Sequence, residues 1–259
     1  MKAYKQDMKP IISVIIPSHN EEANIEETLR AVKNQKCEVP YEIVLIDGQS
    51  TDKTISIAKK YAKVFKSPQR GKTFQLNYVV PKTKGKLLVF LDADTLIDYH
   101  FLQKIYKIFE KKKDLIACSA RVKYYDAHAI SFNLGSQKFT ITPYFILNLC
   151  MHIFYFIKTQ LKVAELMGCN IIVRRDIFFK VGGFKQLPSN LLGIDKVFSD
   201  SLIHLIRKTK KGTIKTLNFI SVLTSARFLS TRRSIDRIIK YHSEKEIYDK
   251  LATDTNWKN

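Results

Sequence analysis

The stretch Lys86-Leu87-Leu88-Val89-Phe90-Leu91-Asp92-Ala93-Asp94-Thr95 joins an unbroken apolar run to two carboxylates spaced one residue apart. An apolar run this short reads as a strand covered on both faces, the setting of a parallel sheet. Similar runs lie upstream at 11–16 (IISVII) and 41–46 (YEIVLI), with a shorter one at 62–66, and another follows at 115–120. Between them 21–34, 51–61, 71–80 and 99–111 carry helical patterning, the first with Asn20 as a candidate N-cap and acids in its first turn. Strand and helix alternating in this way predict βαβ units, hence an α/β fold with a mostly parallel central sheet flanked by helices.

In open α/β sheets ligands bind beyond the carboxyl ends of the strands. Three polar segments fall there: Pro17-Ser18-His19-Asn20-Glu21, Asp47-Gly48-Gln49-Ser50-Thr51-Asp52 and Asp92-Ala93-Asp94. Two carboxylates one residue apart can converge on a hard cation, Mg²⁺ or Mn²⁺, and such an ion stabilises a departing diphosphate. The same pattern also suits an acidic turn after a strand. Gly48 permits a tight turn, Ser50 or Thr51 can cap the next helix, and Asp47 can accept a hydrogen bond from a base or ribose.

Past residue 120 the pattern changes. The aromatic stretch 131–160 reads as helical, 170–174 as a strand, 199–208 as a helix and 213–217 as a strand. Residues 234–251 form a basic amphipathic pattern, so 231–259 reads as a C-terminal helix appended to a domain spanning 1–230. Lys and Arg number 44 against 24 Asp and Glu, a net charge of +20, which attracts polyanions: nucleic acid, anionic lipid or phosphorylated substrates. No nucleic-acid-binding module is recognisable, and strand-end carboxylates repel phosphate unless a metal intervenes, so nucleic acid is not an expected partner. The four cysteines lack CxxC spacing and fit a reducing cytosol. Neither a signal peptide nor a clean transmembrane helix is visible, since 141–157 is interrupted by Pro143, Asn148 and His152.

Taken together, SVIIPSHNEEANIEETL, EIVLIDGQSTDKT and KGKLLVFLDADT resemble, in order, the motifs of family-2 glycosyltransferases of the GT-A fold. Arg70-Gly71-Lys72-Thr73-Phe74-Gln75-Leu76-Asn77 is similar to that family's segment beside the diphosphate, and the likeness continues through Gly168–Arg175 and Gly182-Gly183-Phe184. The resemblance implies a nucleotide-sugar donor held by Pro17, Ser18, Asn20, Glu21, Asp47, Arg70, Gln75, Asn77 and Asp92. A dication would sit on Asp92 and Asp94. Many members have Asp-Asp-Gly-Ser where this chain has Asp47-Gly48-Gln49-Ser50, which leaves the nucleotide open. Members mostly invert, with a carboxylate base in a Glu-Asp pair before a basic helix end. Asp200 is the first candidate, although Ser199 replaces the usual Glu, and Asp195 is the rival. Thr224-Ser225-Ala226-Arg227 resembles a Ser-x-Arg segment, which implies that Arg227 holds a phosphate, with Arg232 and Arg233 as weaker candidates.

Many relatives glycosylate a lipid-linked acceptor at the cytosolic leaflet. The aromatic stretch 144–157 and the basic C-terminal pattern extend the expectation to a cytoplasmic protein with peripheral membrane contact. A sugar-nucleotidyltransferase is the competing enzyme, but it needs a glycine-rich basic loop after the first strand, where this chain has Pro17-Ser18-His19-Asn20-Glu21.

Overall fold

The computed structural model describes residues 9–126, 130–134, 137–141, positions 146, 148–150, 152, 153 and 157, and residues 166–186 and 193–227. Strands β1 (Ile12–Ser18), β2 (Tyr41–Asp47), β3 (Lys63–Lys66) and β4 (Leu87–Leu91) run parallel in the order β3-β2-β1-β4. The chain winds outward from β1 to β3 and then returns to the other side of β1. The strand order therefore reverses between β1 and β4, and a crevice opens at their carboxyl ends.

Beyond β4 the sheet is mixed. β9 (Asn170–Arg174) lies antiparallel between β4 and β6 (Leu115–Tyr124). β10 (Thr213–Thr224) runs parallel to β6, and the short β5 (Thr95–Ile97) closes the edge antiparallel to β10. The β6–β9 ladder is brief, and the buried Asn170 extends it: its Oδ1 accepts the Ala120 N–H at 2.5 Å and its Nδ2 donates to the Ala120 carbonyl at 3.3 Å.

Alternation along each strand divides the core. Val14, Ile16, Val89 and Leu91 face one side, where they meet α1 (Ile25–Lys33), α2 (Thr54–Ala58) and α4 (Phe101–Lys111). Ile15, Val44, Ile46, Leu88 and Phe90 face the other, against α3 (Lys72–Val79), α5 (Arg175–Lys180) and α6 (Ile194–Thr209). Both faces are covered, which is why these strands are apolar without interruption. On the second face Phe90, Phe178, Phe184 and Phe198 form an aromatic cluster with centroids 4.6–5.8 Å apart, fixing α5 and α6 to β4.

Several expectations change. The stretch 131–160 is not one helix: β7 (Ile130–Leu134) pairs antiparallel with β8 (Gln137–Ile141), and the first helical position among the described residues is 146. Phe132, Leu134, Phe139 and Ile141 alternate with polar residues around Gly135-Ser136, a hairpin signal that the aromatic content hides. The first helix begins at Ile25 after Asn24, not after Asn20, whose φ of 54° is left-handed. α6 starts five residues earlier than the predicted 199, so Asp200 lies inside a helix rather than at its cap. β5 is an addition, too short for a periodicity to reveal. The expected C-terminal helix, with Arg232 and Arg233, falls outside the described residues. Among the described residues no helix is long and apolar enough to cross a membrane.

Gly85 leads into β4 under β1. A Cβ there would stand 2.4 Å from the Ser13 nitrogen and 2.6 Å from the Ile12 carbonyl carbon, both backbone. Gly85→Ala is therefore expected to destabilise the fold by about 2 kcal/mol, as overpacking does, read as a lower urea midpoint with unchanged slope.

Candidate active site

The crevice at the strand reversal is a cavity of about 380 Å³ lined by Pro17, Ser18, His19, Glu21, Gly48, Arg70, Gly71, Lys72, Gln75, Asp92, Ala93 and Asp94. Segments from the ends of β1, β2 and β4 and the start of α3 thus meet in one place.

Two loops shape its rim by exchanging hydrogen bonds. The Asn20 N–H donates to Ser50 Oγ (2.9 Å), and Asn20 Oδ1 accepts the Thr51 N–H (2.8 Å). The Glu21 N–H donates to Thr54 Oγ1 (2.8 Å), the Glu22 N–H to Asp52 Oδ2, and the Lys53 N–H to Glu22 Oε2 (both 3.0 Å). Each backbone donor freed by a turn finds a short polar side chain on the facing loop. The side chain of Asn20 is used in this stitching.

Beneath the rim, Asp47 is 1% exposed. Its Oδ2 accepts the Ser50 N–H at 2.9 Å, whereas its Oδ1 and the Ser18 hydroxyl are buried without a hydrogen-bond partner. Leaving a buried polar oxygen unpaired is costly, so two such atoms on paired strand ends mark a place built to receive hydrogen-bond partners. Gly48 follows because a Cβ would come 2.5 Å from Gln75 Nε2 and 3.2 Å from the Ser18 carbonyl oxygen. Gln75 is itself buried, donating to the Ser18 and Ile46 carbonyls at 2.9 and 3.1 Å, and so clamps the ends of β1 and β2. Asn77 lies elsewhere: it exchanges two hydrogen bonds with Phe184 and holds the Gly182-Gly183-Phe184 turn.

The carboxylate pair has cations on both members. Lys72 Nζ contacts Asp92 Oδ1 and also donates to the Gly168 carbonyl at 3.1 Å. Burial opposes the Lys72 ammonium, but Asp92 more than offsets it, and its pKa is held above the ordinary lysine value. Arg227, just past β10, bridges Asp94 Oδ2 at 2.7 Å and Glu21 Oε2 at 3.0 Å. Desolvation opposes its charge too, and the two carboxylates raise its pKa regardless. Thr224 Oγ1 adds a 3.3 Å hydrogen bond to Asp94 Oδ1. Asp126 sets Arg227 in position by accepting from Ser225 Oγ (2.6 Å) and from the Ala226 N–H.

The two base candidates differ in surroundings. Asp195, in the first turn of α6, accepts the Gly168 N–H on Oδ2 at 3.0 Å. Gly168 in turn receives Lys72, so Asp195, Gly168, Lys72 and Asp92 are neighbours in one chain of contacts. Asp200 lies further along α6, paired with Lys196 one turn back. Ser199, in place of the usual acid, is buried, accepting the Leu166 N–H and donating to the Asp195 carbonyl. Sequence reading missed Lys72 and Asp126. Lys72 had a signal, since it follows Arg70-Gly71 directly; Asp126 had none. Among the described residues no group of three His, Cys, Asp or Glu side chains converges on a metal position.

Known proteins match this chain in sequence and in fold. Residues 13–182 match the family described as glycosyl transferase family 2. Beta-monoglucosyldiacylglycerol synthase of Trichormus variabilis is 33% identical over 125 residues, covering 42% of this chain and 26% of that protein. The uncharacterised glycosyltransferase YfnE of Bacillus subtilis is 27% identical over 112 residues, 41% of this chain and 29% of its own. The chain thus spans less than a third of either relative. In structure it superposes on mannosyltransferase PcManGT from Pyrobaculum calidifontis, in complex with GDP-Man and Mn²⁺, with TM-score 0.66 and 20% identity over 93% of this chain and 65% of that one. Staphylococcus aureus TarS in complex with UDP-GlcNAc gives 0.59 at 20% identity over 85% and 59%. The shared sheet is that of the GT-A fold. With the family match running from β1 through α5, across all three strand-end motifs, this chain belongs to glycosyl transferase family 2.

Proposed function

We propose that the protein transfers a sugar from a nucleoside-diphosphate sugar to an acceptor hydroxyl, with inversion. The observation that carries this reading is the crevice itself, which brings Ser18, with its unpaired Oγ, together with Asp92 and Asp94, while the unpaired Asp47 Oδ1 lies on the strand end paired with Ser18. Asp47 would accept an N–H of the base. Arg70 and Arg227 offer guanidinium forks to the diphosphate.

Asp92 and Asp94 fit a hard dication, because both are carboxylates and both border the cavity. Asp92 and Asp94 would hold such an ion, and hard carboxylate oxygens suit Mg²⁺ or Mn²⁺. When bound, the ion neutralises charge on the leaving diphosphate. Neighbours in complex with Mn²⁺ support this choice of group.

The contact chain through Gly168 and Lys72 to Asp92 favours Asp195 over Asp200 as the general base. Asp195 would take the acceptor hydroxyl proton as that oxygen attacks the anomeric carbon in line. The bond to the diphosphate oxygen breaks on the opposite face, and its electron pair leaves with the nucleoside diphosphate. The acceptor is read as lipid-linked, a reading supported by the net charge of +20 and by a relative named for a glycosyldiacylglycerol product.

A thermal-shift panel of UDP-, GDP- and dTDP-sugars with and without Mn²⁺ tests the site. One nucleotide class should raise the melting point only with metal, by roughly 2.7 kcal/mol of stabilisation at a hundredfold excess over Kd. Asp94→Ala should abolish that shift; a shift of equal size in the variant would remove the metal assignment. Asp47→Ala should weaken nucleotide binding about tenfold, a loss of one charged hydrogen bond. Asp195→Asn should keep the shift and lower turnover by about 10²–10⁴, while Asp200→Asn stays within a few-fold of the parent. The reverse ranking would make Asp200 the base.

A further inference from the structure

Positions 146, 148–150, 152, 153 and 157 are helical, and four of them are large aliphatic residues standing in the open. Ile146 is 56% exposed, Leu149 49%, Ile153 50% and Ile157 49%. They are spaced three, four and four apart. At about 100° of turn per residue they fall within about 80° of one another, on a single face.

The opposite face is attached to the sheet. Asn148 Oδ1 accepts the Tyr124 N–H at 2.9 Å and its Nδ2 donates to the Tyr124 carbonyl at 3.0 Å. One turn on, His152 Nδ1 lies 3.1 Å from Arg121 Nη1. Asn148 points roughly 140° and His152 roughly 100° from the centre of the aliphatic stripe. Asn148 and His152 therefore tie these positions to the carboxyl end of β6, while Ile146, Leu149, Ile153 and Ile157 stand exposed. That end of β6 leads into Asp126, which positions Arg227 against Asp94. Tyr124, which holds Asn148, is two residues from Asp126 in the chain.

Four exposed aliphatics on one face need a cover, and charge selects it. A second copy of a chain carrying +20 is repelled, whereas an anionic bilayer is attracted. Arg121 and Lys123 flank the seat, and Lys158 and Lys162 follow in sequence. We infer that the face of Ile146, Leu149, Ile153 and Ile157 docks in the plane of an anionic membrane and presents the crevice to acceptors at its surface. The inference deepens the lipid-linked acceptor reading and rests on it for what docks; its test needs no turnover.

Flotation of the full chain with phosphatidylcholine vesicles, with and without 30% phosphatidylglycerol, decides the matter. The parent should float with the anionic vesicles and release as salt rises. Ile153→Glu/Ile157→Glu should lower the partition at least tenfold while keeping its melting point and its sugar-nucleotide shift. Lys123→Ser should weaken flotation severalfold on anionic vesicles alone. No flotation by the parent, or equal flotation by the double variant, overturns the inference. So does a parent that is dimeric by light scattering and becomes monomeric in the double variant without ever binding vesicles. A missing nucleotide shift alongside normal flotation would instead remove the enzymatic reading and leave the docking face standing.

Discussion

Two carboxylates at the end of one strand cannot share a partly dry crevice without positive charge close by. Here the chain supplies it from two distant places: Lys72 at the start of α3 for Asp92, and Arg227 beyond β10 for Asp94. Bare like charges would repel and lose hydration together, so the rim of the sheet depends on these pairs. The same pairs bring the crevice together. Lys72 ties Asp92 to Gly168 and through it to Asp195, and Arg227 ties Asp94 to Glu21 on the loop after β1. In the proposed reaction a dication and a diphosphate would enter this balance as one more positive and one more negative partner.

The rigid parts lie behind the rim. Gln75 and Gly48 clamp the ends of β1 and β2, and the aromatic cluster locks α5 and α6 to β4. Functional groups thus stand on strand ends, while the loops between them are stitched by Asn20, Glu22, Asp52 and Thr54. Precision at the site comes from a two-sided core, because β1 and β4 bury alternate residues in different clusters and cannot slip by one residue without exchanging them.

Much of this was legible in the chain. The apolar runs marked β1, β2 and β4, and the carboxylates after them marked the crevice, because buried strands and polar strand ends are local properties. What stayed hidden was non-local. Asn77 sits in the predicted motif yet serves the Phe184 turn, a pairing 107 residues apart. Asp126 holds Ala226, and with it Arg227, across 100 residues with no pattern to announce it. The β7–β8 hairpin was obscured because aromatic residues suit helix and strand alike when alternation is short. Ser199 looked like a lost acid, but its hydroxyl fills backbone needs at Leu166 and Asp195.

The bridge made by Arg227 reaches across 206 residues to Glu21 and 133 to Asp94. A ribosome delivers β1 through β4 long before β10 exists, and those strands can pair among themselves as they emerge. The acidic rim they create must then wait for its Arg227 partner at Asp94 until β10 and the residues just past it have been made. Assembly of the crevice rim for that reason follows synthesis of β10, and a chain terminated before it would carry part of the sheet with its negative edge uncovered.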